Sequence, residues 1–75
     1  MGRVPRISGR DAVQAFATVG YEVVRQRGSH IRLRHPTAAR LPLTVPDHRE
    51  LKPGLLRGLI RDAGMTVDEF LEKLG

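Results

Sequence analysis

The spacing of apolar residues changes twice in this 75-residue chain, from three-and-four to two and back, and those changes leave the fold little freedom. Ser8 can cap a helix, with Asp11 three residues later as a shortened capping box. Ala12, Val13, Ala15, Phe16, Ala17 and Val19 then fall on one helical face, and Gly20 can end it, so a helix is predicted over residues 9–19. From Tyr21 the period is two. Tyr21 and Val23 alternate with Glu22 and Val24 in a β-prone run that reaches Arg25 or Gln26. Arg27-Gly28 supplies a tight turn, because glycine tolerates positive φ. Beyond Ser29, His30, Arg32 and Arg34 alternate with Ile31 and Leu33. After a second turn over residues 36–40, Leu41, Leu43 and Val45 alternate with Pro42, Thr44 and Pro46. Two prolines cannot donate to a ladder, so this third strand should lie at an edge or place them on its free side.

Residues 46–52 read as loop, and Pro53 suits the first turn of a helix, where its missing N–H costs nothing. Leu55, Leu56, Leu59 and Ile60 form its apolar stripe, with Arg57 and Arg61 on the wet side and Gly64 closing it. Thr66 and Glu69 make a capping box for a last short helix that turns Val67, Phe70, Leu71 and Leu74 inward. The expected fold is α+β in the order α-β-β-β-α with a short extra C-terminal helix. A three-stranded antiparallel sheet with its helices packed on one face buries these stripes most economically and leaves the other sheet face open. Residues 1–75 are expected to form a single domain, with residues 1–7 an extended basic arm.

Charge points toward a partner class. Thirteen Lys and Arg oppose eight Asp and Glu, for a net charge of +5. The excess is uneven: residues 1–40 carry +6 and residues 41–75 carry −1. Eleven of the thirteen cations are Arg, whose planar fork pairs bidentately with phosphate oxygens, so a polyanion, and nucleic acid by default, is the expected partner. Cysteine is absent, which excludes a disulfide scaffold, a thiolate zinc site and a cysteine nucleophile. No apolar run is long enough to span a membrane, and MGRVPRISGR lacks the apolar core of a signal peptide. A soluble, cytoplasmic protein is expected. With only Phe16, Tyr21 and Phe70 as aromatics, the sequence offers no base-stacking platform, and Tyr21 reads as core.

Strand alternation makes the sharpest functional claim. If Ile31 and Leu33 face the helices, His30, Arg32 and Arg34 project together from the open face, successive members about 7 Å apart by strand rise. An imidazole beside guanidiniums suits phosphodiester chemistry: the histidine moves a proton, and the arginines hold the phosphate and offset charge gained in the transition state. The same pattern also fits the plain outward side of a half-wet strand. His35, before Pro36, reads as a solvated loop residue. His48, in Asp47-His48-Arg49-Glu50, reads first as a loop brace and second as another proton carrier. That tetrapeptide has no recurring metal-ligand spacing and nearby Arg oppose a cation, so no metal and no cofactor are expected. Ser29-His30 cannot form a serine nucleophile pair, because adjacent strand residues face opposite ways.

These residues also resemble a known family. The run from Gly20 to His30 (GYEVVRQRGSH), then Val45-Pro46 with His48, then Leu51-Lys52-Pro53-Gly54 and Leu59-Ile60-Arg61-Asp62-Ala63-Gly64, is similar to the HicA toxin family from Ser8 to Leu74. The resemblance implies a fold like a double-stranded-RNA-binding domain. It implies an mRNA interferase, the endoribonuclease toxin of a type II toxin–antitoxin pair, kept silent by a HicB-type antitoxin over its active face. It also places the catalytic histidine on His30 and a second family position on His48. The chain departs from that pattern at Leu55, where many members carry Thr, and at Ile31, where others carry a second His or an aromatic residue.

Combining the two lines, the expected activity is metal-independent RNA cleavage with the 2′-hydroxyl as internal nucleophile. His30 is the catalytic residue; Arg27, Ser29, Arg32 and Arg34 bind RNA phosphate; His48 and Lys52 support. Two other classes compete. A non-catalytic RNA-binding module of the same fold would bind RNA in a salt-dependent way without cutting it. A protein-interaction domain would dock an acidic partner and hold bare RNA weakly.

Overall fold

The computed structural model describes residues 3–74. Its element order is α1 (Gly9–Ala17), β1 (Glu22–Arg27), β2 (His30–Arg34), β3 (Leu43–Pro46), α2 (Pro53–Asp62) and α3 (Val67–Lys73). The strands form one antiparallel sheet in the order β1-β2-β3, so the expected α+β architecture holds and β3 is an edge strand. One cluster of buried side chains joins the inner face of β2 and β3 (Ile31, Leu33, Leu43, Val45) to Phe16, Leu56, Ile60 and Phe70 of the three helices. Phe16 packs on both Tyr21 and Phe70, with ring centroids 5.8 and 5.1 Å apart.

Local signals set the element ends. Ser8 accepts a hydrogen bond from the Asp11 amide at 3.0 Å, a cap that contributes about 1 kcal/mol. The Thr66–Glu69 capping box closes in both directions. There the Thr66 amide, with its hydroxyl second, holds the Glu69 carboxyl below its usual value. Arg40 donates to the Ala63 carbonyl at the C-terminus of α2, where a cation also meets the negative end of the helix dipole.

The start of α1 lies directly against the end of β3. A β-carbon on Gly9 would come within 1.8 Å of the Pro46 carbonyl oxygen, and the Gly9 amide donates to the His48 carbonyl at 2.9 Å. The expected arm enters beside this contact. Its described residues form neither helix nor strand, Val4 and Ile7 pack on the core, and Ile7 accepts a bond from the Leu51 amide. Met1 and Gly2 lie outside the described residues.

Several expectations need correction. α1 ends at Ala17 rather than at residue 19, because Thr18 caps it and bonds back to the Ala15 carbonyl. β1 begins at Glu22 and runs on to Arg27, leaving Gly28-Ser29 as the turn. Leu41 is not part of β3 and is half exposed; only its backbone is used, giving its amide to Asp62 and accepting the Tyr21 hydroxyl. Pro46, expected in the loop as well as the strand, is the last strand residue. Leu55 and Leu71 are exposed, since helices this short bury a narrower stripe than their leucines suggest. Val23 is exposed too, because the helices cover β2 and β3 while β1 extends beyond them, with no buried residue along its length.

His35 is a structural residue rather than a solvated one. Its Nδ1 accepts the Thr37 amide at 3.0 Å, which leaves Nε2 as the donor to the Val19 carbonyl at 2.7 Å. The ring also meets Tyr21 edge-on at 5.0 Å, so it ties the end of α1 to the chain after β2.

Two stability tests follow from this packing. Gly9→Ala should lower stability by about 1–3 kcal/mol through overpacking against Pro46, whereas Gly54→Ala, where a β-carbon meets nothing within 4 Å, should leave it unchanged or raise it; urea midpoints compare the two. Burial raises the Tyr21 hydroxyl above its usual 10.0; Asp62 adds to this and Arg40 opposes it. The unfolded chain therefore loses that proton first, so the stabilisation is complete below pH 10 and falls as pH rises beyond it. Tyr21→Phe should remove this alkaline fall in melting temperature and cost about 1 kcal/mol at neutral pH, because the Leu41 carbonyl loses its donor.

Candidate nucleic-acid interface

The open face of the sheet is set by how β1 pairs with β2. A two-residue turn, Gly28-Ser29, joins them, and Gly28 takes φ +57°, which a β-carbon would resist. Counting outward from that turn pairs Arg27 with His30, Gln26 with Ile31 and Arg25 with Arg32. Paired residues share a face, so Gln26 lies on the side of buried Ile31, while Arg25 and Arg27 lie on the side of His30 and Arg32. The pairing then slips: Val23 opposes Leu33 and Glu22 opposes Arg34, leaving Val24 as a bulge.

This slip explains what simple alternation missed. Alternation from Tyr21 and Val23 would turn Arg25 inward, and the bulge returns it to the open face. The signal was present in the turn, since counting back from a two-residue hairpin places Arg25 opposite Arg32 whatever the phase upstream. Thr44 was also missed. It lies opposite Arg32 in β3 and accepts a hydrogen bond from that guanidinium at 2.7 Å, fixing its direction.

His30, Arg32 and Arg34 project from the open face as the alternation of β2 requires, between buried Ile31 and Leu33. His30, Arg25, Arg27, Arg32 and Thr44 line a depression of about 230 Å³. A second depression of about 480 Å³ adjoins it, lined by Val24, Arg25, Arg32, Arg34 and Pro42. Arg25 and Arg32 border both. Among the described residues, ion pairs within 4.0 Å join Arg6 to Glu50, Arg10 to Asp47 and Arg61 to Asp62, so none uses the four arginines of this face. The acid in register with them, Glu22, stands opposite Arg34 at the end of the hairpin far from His30. The His30 ring is exposed and makes no hydrogen bond among the described residues.

The remaining predicted site residues are placed differently. Ser29 lies in the turn, and its carbonyl accepts the Asp47 amide at 2.6 Å. That bond brings the chain leaving β3 alongside the turn, with His48 next in sequence. The His48 imidazole is exposed and makes no bracing bond among the described residues; its backbone carbonyl does the bracing, through Gly9. Lys52 is the exposed N-cap residue of α2 and makes no side-chain cap bond. Neither His48 nor Lys52 lines the depression that holds His30 or the one adjoining it. No three His, Cys, Asp or Glu side chains among the described residues stand together as a metal-binding group. No helix among them is long and apolar enough to cross a membrane.

An unpaired imidazole among four guanidiniums on a shallow, open surface can bind a polyanion and move a proton beside it. Comparison with curated proteins gives no match. Over residues 9–65, however, the chain matches the family model for the HicA toxin of bacterial toxin–antitoxin systems. That match covers well over half of its length and contains every residue of the open face described above, so the chain belongs to the HicA toxin family and is a toxin of a toxin–antitoxin system.

Proposed function

We propose that this chain is an endoribonuclease that cuts mRNA without a metal ion, using His30 as its catalytic residue. The observation that carries the reading is the position of His30 on the open face: opposite Arg27 in register and in one depression with Arg25 and Arg32. Phosphodiester cleavage needs a proton carrier beside groups that neutralise a phosphate. Family membership supports the same reaction, because toxins of this family are in general ribonucleases.

In this mechanism the RNA 2′-hydroxyl attacks the adjacent phosphorus and loses its proton as the new P–O bond forms. The P–O5′ bond breaks, and the leaving oxygen takes up a proton, giving a 2′,3′-cyclic phosphate and a free 5′-hydroxyl. His30 carries one of these protons. His48 is assigned the supporting proton role, since the Asp47–Ser29 bond sets its segment beside the hairpin turn. Arg27, Arg32 and Arg34 hold phosphate oxygens and stabilise the charge that builds on them, with Arg32 pre-aimed by Thr44. Ser29 offers a hydroxyl at the turn, and Lys52 adds long-range positive charge. In the cell the open face is covered by a HicB-type antitoxin, and the site of action is the cytoplasm.

The direct test is cleavage of single-stranded RNA in EDTA by antitoxin-free protein. Wild type should leave 2′,3′-cyclic ends or their hydrolysis product. His30→Ala should lose activity by about 10²–10⁴-fold with an unchanged circular dichroism spectrum, and His48→Ala should lose less. Full activity in a folded His30→Ala protein would refute the assignment. RNA binding without cleavage by wild type would leave a binding module. Binding should weaken with salt, and each of Arg27→Gln and Arg32→Gln should reduce the log–log salt slope by about 0.7 through one lost phosphate contact.

A further inference from the structure

The larger depression adjoins the one at His30 through Arg25 and Arg32, and of the arginines assigned to phosphate binding Arg34 lines the larger one alone. It exists because of the bulge: Val24 is the residue without a partner in β2, and the slip it creates turns Arg25 to the open face while Glu22 and Arg34 stay paired beyond it. Three guanidiniums, Arg25, Arg32 and Arg34, border a floor whose apolar parts are Val24 and Pro42. Val24 is 51% exposed, and its side chain lies among charged neighbours on the open face. The arrangement has two parts of different chemistry, a cationic rim and a small apolar surface, and both are open to solvent.

We infer that this depression is a second nucleotide subsite. It takes the nucleotide that neighbours the one at His30: its phosphate between Arg25 and Arg32, and its base against Val24 and Pro42 with the Arg34 guanidinium beside it. From His30 to Arg34 the strand advances about 13 Å, further than one nucleotide reaches, so a single-stranded RNA lying along β2 must occupy both depressions. Arg25 and Arg32 border both depressions and are therefore placed for the phosphate that links the two nucleotides. Glu22, opposite Arg34, disfavours a further phosphate at that end, which marks where the bound strand leaves the sheet. Single-stranded RNA fits this surface better than an acidic polypeptide does. A carboxylate chain would match the arginines but has no use for an apolar floor between them. The inference deepens the proposed RNA cleavage and rests on the open face being the RNA surface.

The test separates this subsite from the cleavage assignment by measuring binding alone. Fluorescence anisotropy with 2′-O-methyl uridylates, which the 2′-hydroxyl mechanism cannot cut, gives affinities for a labelled mononucleotide and for a hexanucleotide. The protein is His30→Ala, alone and combined with Val24→Glu, which puts a carboxylate on the floor of the larger depression at an exposed strand position. Val24→Glu should weaken hexanucleotide binding by about tenfold, the scale of one lost charge-assisted contact, and should change mononucleotide binding much less, because a single nucleotide can stay in the depression at His30. Val23→Glu, which adds the same charge at an equally exposed position on the opposite face of the strand, should lie close to His30→Ala. Equal losses for both lengths, or no loss for either, would overturn the subsite and leave the role of His30 standing. A polyglutamate of matched charge that competes as well as oligouridylate would overturn it in favour of an acidic protein surface. Absence of RNA binding by His30→Ala would overturn both the subsite and the reading of the face on which it rests.

Discussion

The contact between the first residue of α1 and the last of β3 governs the rest of the molecule. Only a glycine permits the helix to begin so close to the Pro46 carbonyl, and the backbone bonds on either side run in series. Ile7 holds Leu51, Gly9 holds His48, and Asp47 holds Ser29, with the Arg10–Asp47 pair alongside. These bonds join the entering segment, the start of the first helix, the exit from the third strand and the hairpin turn. A turn of two residues beside an exposed strand would otherwise have little to fix it. Here its position relative to the core is set by main-chain bonds, and His30 is the next residue along.

Division of labour among the cations also follows from the fold. Arg10 and Arg40 serve structure, the first through Asp47 and the second through the carbonyl of Ala63, which caps α2. Arg25, Arg27, Arg32 and Arg34 pair with no acid within 4.0 Å among the described residues, Arg32 being held only by the Thr44 hydroxyl, and they share one face. Net charge alone could not have drawn this distinction. The functional surface is the part of the basic excess left uncompensated after helix ends and loops have taken what they need.

Much of this was legible from the order of residues, for reasons that can be named. The periods of two and of three-and-four placed every element, because burial on one face is what those periods encode. Caps at Ser8 and Thr66 worked because their bonds are local, and Pro53 because its fixed φ suits a first turn. The outward row of His30, Arg32 and Arg34 followed from two buried neighbours within one strand. Apart from the early end of α1 at Thr18, the failures were non-local. The Val24 bulge depends on pairing with another strand, so alternation lost the phase at Arg25. Leu41, Leu55 and Leu71 stay exposed, and only tertiary packing separates them from the buried leucines near them in sequence. His35 gained its role only from a carbonyl sixteen residues away.

The placement of β1 outside the helix layer has a thermodynamic consequence. Its six residues bury no side chain, so the strand is retained by its ladder with β2 and by the turn. Detaching it would cost hydrogen bonds that water can replace and would expose almost none of the apolar core. Arg25 and Arg27 therefore sit on the least protected segment of the sheet, while His30 and Arg32 sit on the central strand. The surface can thus come apart into two halves without global unfolding. One half is anchored in the core, and the other is free to adapt to whatever strand it meets.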